Sequence, residues 1–131
     1  MPLLLDTCVF IWWITNETSK ISQKAFKTIE QSDTVYVSMV SAWEILIKLK
    51  NKKLSASING KFNKRFFIEQ LRINSFTPLL INMDHIFATQ ELESLHSDPF
   101  DRLLIAQSLA DKLVLVTPDD EIKKYQVQTI W

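Results

Sequence analysis

An α/β sandwich built on a mainly parallel sheet is the fold class this sequence predicts, on three observations. Short apolar or β-branched segments alternate with helix-like ones along nearly the whole chain, the pattern of β-α-β units. The segment Leu113-Val114-Leu115-Val116 is apolar without interruption, as expected of a parallel strand covered on both faces. The 131 residues carry no repeat, low-complexity stretch or linker and fit one domain, 1–131, able to bury roughly two-thirds of its unfolded surface.

Taken in order, Leu3-Leu4-Leu5-Asp6 reads as a short buried strand ending on an acid. Thr7 to Ile14, apolar on every side, reads as the helix that follows it. A second helix is expected from about Ser19 to Gln31, with Ile21, Ala25 and Ile29 on one face. Val35 to Ser38 is β-rich, and Ser41 then starts a helix through Lys50, with Ile45 and Leu49 spaced i, i+4. Gly60 to Asn74 interleaves basic residues with Phe62, Phe66, Phe67 and Leu71, an amphipathic helix. Thr77 to Ile81 reads as a third strand and Met83 to Leu92 as a further helix. Asp98-Pro99 opens the next helix with proline at its first position, where a fixed φ and a missing N–H do no harm; it runs to about Lys112. After the apolar strand come a short helix from Asp119 and a last strand from Val127 to Trp131.

Composition narrows the function. Hydrophobic residues make up 47% and charged ones 23%, the balance of a globular protein. Cys8 is the sole cysteine, which excludes an internal disulfide and a cysteine-based zinc site and suits a reducing compartment. The apolar run from Leu3 to Ile14 follows no Lys or Arg, is interrupted by Asp6, and is well short of the ~20 residues of a membrane span. A cytoplasmic protein is therefore expected. Gly60 is the only glycine, so glycine-rich phosphate loops are excluded and phosphate chemistry would need metal ions or side chains. Net charge is zero, yet eight of the 15 basic residues lie between Lys48 and Arg72, and nine of the 15 acidic ones between Asp84 and Glu121. A basic face beside an acidic pocket is compatible with that division, as are two solvated faces.

In parallel sheets ligands bind beyond the carboxyl ends of the strands. Asp6 closes the first strand, Glu44 lies one short turn past the second, and Asp119 and Asp120 follow the Leu113–Val116 strand. Asp98 and Asp101 sit on the first turn of the helix feeding that strand. Converging carboxylates repel and raise one another's pKa, so a divalent cation such as Mg²⁺ or Mn²⁺ would compensate them. Each acid also has a structural reading. Ser41-x-x-Glu44 has the form of a capping box, Asp98 that of an N-cap with Asp101 favouring the helix dipole, and Asp119 or Asp120 that of a cap. Asp6, between an apolar strand and an apolar helix, and Asp101, on the face of Leu104, Ile105 and Ser108, resist this reading. His85 and His96 read as loop residues, and Trp12, Trp13, Trp43 and Trp131 as core. Lys48, Lys50, Lys52 and Lys53 either follow a nucleic-acid backbone or solubilise a helix end.

The segments Leu3-Leu4-Leu5-Asp6-Thr7, Val40-Ser41-Ala42-Trp43-Glu44-Ile45, Asp98-Pro99-Phe100-Asp101-Arg102-Leu103-Leu104-Ile105-Ala106-Gln107 and Leu115-Val116-Thr117-Pro118-Asp119 together resemble the PIN-domain family. The nearest likeness within it is to the VapC-like ribonuclease toxins of type II toxin–antitoxin pairs. The resemblance spans the chain, and Asp-Pro-Phe-Asp-Arg is its most specific piece. It implies a PIN-like three-layer α/β/α sandwich and an endoribonuclease that hydrolyses RNA phosphodiester bonds with Mg²⁺ or Mn²⁺. Asp6, Glu44, Asp101 and Asp119 fall on the family's catalytic, metal-binding acids, with Asp98 an extra acid beside them. Thr7 and Thr117 match hydroxyl positions near the metal and, with Arg102, are the expected substrate contacts. Pro118 and Asp120 depart from the commonest pattern. The likeness also implies an RNA substrate, a cognate antitoxin as partner and a homodimer, with no membrane. The Phe10-Ile11-Trp12-Trp13-Ile14 stretch hints independently at a partner surface. Two other readings compete: a non-catalytic PIN-like RNA- or protein-binding module, against which the full acid set argues, and a small-molecule phosphoryl transferase. The second lacks the expected Asp-x-Asp pair, since Thr7-Cys8 follows Asp6.

Overall fold

A computed structural model describes residues 1–51, 58 and 60–131. Its sheet has β1 (Leu3–Leu5), β2 (Val35–Ser38), β3 (Thr77–Leu79), β4 (Val114–Val116) and β5 (Thr129–Ile130) in the order β3-β2-β1-β4-β5. Every ladder is parallel. β1 lies at the centre, with Leu3 in register with Val35 on one side and Val114 on the other. That explains why its three leucines are fully buried, and why no alternation of polar residues marks it in the sequence.

The helices are α1 (Thr7–Ile14), α2 (Gln23–Gln31), α3 (Met39–Lys50), α4 (Lys64–Asn74), α5 (Met83–Ala88), α6 (Pro99–Asp111) and α7 (Asp120–Lys123). Successive strand residues point to opposite faces. Leu3, Leu5, Val35, Val37, Val114 and Val116 accordingly meet Phe10 of α1, Ala25 and Ile29 of α2, and Phe67 and Leu71 of α4. Leu4, Leu113 and Leu115 meet Leu104 and Ile105 of α6 and Ile122 of α7 on the other side. The predicted sandwich is the observed one.

Several boundaries shift, because polar side chains that satisfy free backbone N–H groups fix where helices start. Ser22 accepts from the Ala25 N–H at 3.1 Å and starts α2 at Gln23, leaving Thr18–Lys20 as a separate 3-10 turn. Ser38, not Ser41, caps α3, accepting from the Val40 N–H at 3.0 Å. Asn63 starts α4 at Lys64 rather than Gly60. The expected Met83–Leu92 helix is α5 followed by a 3-10 turn over Thr89–Glu91, and β3 and β5 are shorter than predicted. Asp98 and Pro99 start α6 as expected.

Two expectations are corrected. His85 is no loop residue: it is buried on α5, where its Nδ1 accepts from the Asn82 N–H and its Nε2 pairs with Asp111 at 2.9 Å. Trp43 is 56% exposed, its ring edge-on to Phe100. On α1, Cys8, Trp12, Trp13 and Ile14 are half-buried, Trp12 lying beside Trp131 and Trp13 stacked on Phe26. Exposed apolar side chains lie at Leu80 and on one face of α5, where Met83, Ile86 and Phe87 follow helical spacing, and also at Trp43 and Leu46 of α3 and Ile68 and Ile73 of α4. Among the described residues no helix is long and apolar enough to cross a membrane.

Candidate active site

Asp6 leaves β1 and occupies the N-cap position of α1, but its side chain makes no capping bond. It is 5% exposed, and its Oδ2 accepts a hydrogen bond from the Thr117 hydroxyl at 2.6 Å. The two residues meet because β1 and β4 run in register, Leu5 opposite Val116, and both chains continue one residue further. The Thr117 oxygen in turn accepts from the Asp119 N–H at 3.0 Å, holding the start of the next turn.

Glu44 lies on the second turn of α3, because that helix begins at Met39. The Ser41-x-x-Glu44 capping box does not form. Ser41 instead shares a hydrogen bond of 2.8 Å with the Thr7 hydroxyl, and Glu44 turns inward, 3% exposed. Its Oε2 pairs with the Lys48 ammonium one turn later. Its Oε1 is buried and has no hydrogen-bond partner.

Asp101 points to the core side of α6, as its spacing predicts, and its Oδ2 accepts from His96 Nε2 at 2.8 Å. Asp98 caps α6, its Oδ1 accepting from the Phe100 and Asp101 N–H groups. Asp119 caps α7 through the Glu121 N–H at 2.9 Å. All five acids, with Lys48 and His96, line one cavity of about 310 Å³, whereas Asp120 is exposed and stands outside it.

Burial pushes the Asp6 carboxyl up to about 7, with the charges of Asp101 and Glu44 adding and the Thr117 bond opposing. Burial also lifts Asp101 to about 6, helped by Asp98 and Glu44 and opposed by its bond to His96. The bond to Asp101 raises the pKa of His96. Burial works against the charge of Lys48, but Glu44, Asp98 and Asp101 hold its pKa above the ordinary value. One ammonium and one imidazole thus face five carboxylates. Leaving a buried carboxylate oxygen such as Glu44 Oε1 unpartnered costs about 1–3 kcal/mol or more. A divalent cation with oxygen ligands fits this donor set.

The expected substrate contacts fare differently. Thr7 and Thr117 are buried, their hydroxyls bonded to Ser41 and Asp6, and Thr7 lines the cavity of the acids. The Arg102 guanidinium donates to the carbonyls of Glu93 at 2.9 Å and Thr89 at 3.0 Å and to the Tyr125 hydroxyl at 3.1 Å. It fastens the loop before α6. His96 is the residue sequence reasoning missed; its signal was the run His96-Ser97-Asp98-Pro99-Phe100-Asp101, three donor residues within six positions. Lys50 is exposed, and Lys52 and Lys53 lie outside the described residues.

Known proteins share this arrangement of chain. Ribonuclease VapC22 of Mycobacterium tuberculosis is 26% identical over 132 residues, spanning 98% of this chain and 98% of that protein. A chain in the crystal structure of VapBC2 from Rickettsia felis, bound to a DNA fragment from their promoter, superposes with a TM-score of 0.64. The match covers 99% of this chain and 98% of that one at 15% identity, a likeness of fold. The profile described as PIN domain matches residues 3–128, from the first residue of β1 to the approach of β5. With a parallel sheet that gathers Asp6, Glu44, Asp101 and Asp119 at one rim, this chain belongs to the PIN domain family.

Proposed function

We propose that this protein is a Mg²⁺- or Mn²⁺-dependent endoribonuclease, the toxin of a cytoplasmic toxin–antitoxin pair. The observation that carries the reading is the meeting of Asp6, Glu44 and Asp101, buried carboxylates from three separate segments, with Glu44 Oε1 left without a partner. The ribonuclease name of the Mycobacterium tuberculosis relative and the VapBC2 complex support the substrate class and the partner.

Asp6, Glu44, Asp101 and Asp119 would hold the cation, with Asp98 beside them. A divalent ion there makes water a stronger nucleophile and offsets charge gathering on a phosphate. The rest is the work of the chain. Thr117 fixes the orientation of Asp6, and His96 that of Asp101. Lys48, half-buried at the cavity wall, supplies the positive charge that lets a phosphodiester approach a ring of acids. The antitoxin covers this rim, and a second copy of the chain covers the apolar face of Leu80, Met83, Ile86 and Phe87.

The test is expression in cells of the wild-type chain and of Asp6→Ala, with the ends of newly broken RNAs mapped. Growth arrest and new RNA ends are expected from the wild type alone. Equal arrest by the variant would contradict nuclease toxicity.

A further inference from the structure

We infer that His96, Asp98 and Asp101 form a distinct cation position with a nitrogen ligand, which takes Co²⁺ or Mn²⁺ in preference to Mg²⁺. The inference rests on the metal-dependent reading above and adds a ligand, a second position and an ion preference to it.

One donor atom from each of these residues lies within 4.8 Å of the other two. They share Asp101 with the four-acid set, and all of them line the same cavity. The buried, unpartnered Glu44 Oε1 lies in the wall of the same cavity and marks it as a place built for a cation. Asp98 uses the same oxygen, Oδ1, for both of its capping bonds. A cation seated between the His96 imidazole and the Asp101 carboxylate takes the place of the hydrogen now shared across 2.8 Å.

His96 is also held in place from behind. Its backbone N–H donates to the Tyr125 hydroxyl at 2.9 Å, and Arg102 fastens both Tyr125 and the loop. Such support of a ligand is what gives a metal site its affinity and geometry. An imidazole ligand suits Co²⁺ or Zn²⁺ best and is accepted by the transition ion Mn²⁺, whereas Mg²⁺ keeps oxygen donors and water.

The experiment titrates the chelator-stripped, full-length protein with Mg²⁺ and Mn²⁺ by calorimetry, and with Co²⁺ by visible absorption. His96→Ala is expected to lose about tenfold or more in Mn²⁺ and Co²⁺ affinity and to shift the Co²⁺ bands toward those of all-oxygen ligation, with Mg²⁺ affinity changing far less. His96→Gln keeps a hydrogen-bond donor for Asp101 without the imidazole nitrogen. Behaviour like His96→Ala supports ligation. Recovery of wild-type Mn²⁺ affinity and Co²⁺ spectrum in His96→Gln overturns it, because His96 then only orients Asp101. Parallel losses of Mg²⁺ and Mn²⁺, or no loss of either, overturn it too while leaving the four-acid site standing. A wild-type protein that binds none of the three ions sinks both proposals.

Discussion

Asp6 concentrates the energetics of the site in one side chain. Its carboxyl is raised to about 7 and that of Asp101 to about 6, mainly by burial, so the folded chain holds these protons more tightly than the unfolded chain. Their contribution to stability is present below the ordinary carboxylate range and is lost as pH rises through about 4 to 7; the raised pKa of His96 acts in the same direction. In the presence of a chelator, these groups make the protein less stable at pH 8 than at pH 5. Asp6→Asn should flatten that slope and add on the order of 1–2 kcal/mol of stability at pH 8, seen as a higher unfolding midpoint in thermal melts at the two pH values. An unchanged slope would mean that Asp6 is not a strained acid. Asp6 and Asp101 were legible in the sequence because a carboxylate among apolar neighbours needs a reason. His96 was not, because its contact with Asp101 depends on a loop whose path no local pattern specifies. Thr117 was legible as a residue near the site, but its burial depends on the register of β4 against β1.

The segment from Thr89 to Ser97, one 3-10 turn followed by irregular chain, shows how a loop is tied down by side chains. Arg102 reaches back from α6 to two of its carbonyls, and Tyr125 Oη donates to the Glu93 carbonyl at 3.0 Å while accepting from the His96 N–H. Arg102→Ala should therefore cost about 1–3 kcal/mol in urea unfolding, since it leaves these acceptors unmatched. A loss near zero would return Arg102 to the role of a free surface cation. Helix limits were harder to read than helices. The apolar spacing Ile21, Ala25, Ile29 is real, and all three are buried, but Ile21 lies before α2 because Ser22 caps it. The same competition moved the start of α3 from Ser41 to Ser38, which freed Glu44 from any capping duty. Periodicity reports burial, whereas a cap decides where the backbone enters a helix.

At the scale of the molecule, alternating segments made the fold class readable, and the uninterrupted leucines of β1 marked it as a strand covered on both faces. The strand order was not readable, because it depends on which neighbours the crossovers bring to that central strand. Trp12 and Trp13 of α1 are half-buried against Trp131 and Phe26, while Met83 at 74% and Phe87 at 61% exposure stand out on α5. If a second copy covers that face, Phe87→Glu should convert a dimer to a monomer in sedimentation velocity without lowering the unfolding midpoint, since the position is outside the core. A wild-type chain that sediments as a monomer at high concentration contradicts that assignment.

The central claim is that carboxylates from β1, α3, α6 and the turn after β4 act together on RNA through a shared divalent ion. The most direct measurement is cleavage of a labelled RNA by the purified protein and by Asp101→Asn, each with Mg²⁺ or Mn²⁺ and with a chelator. Cleavage should occur only in the wild type with the ion present, while Asp101→Asn unfolds at the same temperature as the wild-type protein or higher. Cleavage that survives the chelator, or that Asp101→Asn performs at the wild-type rate, would contradict the account.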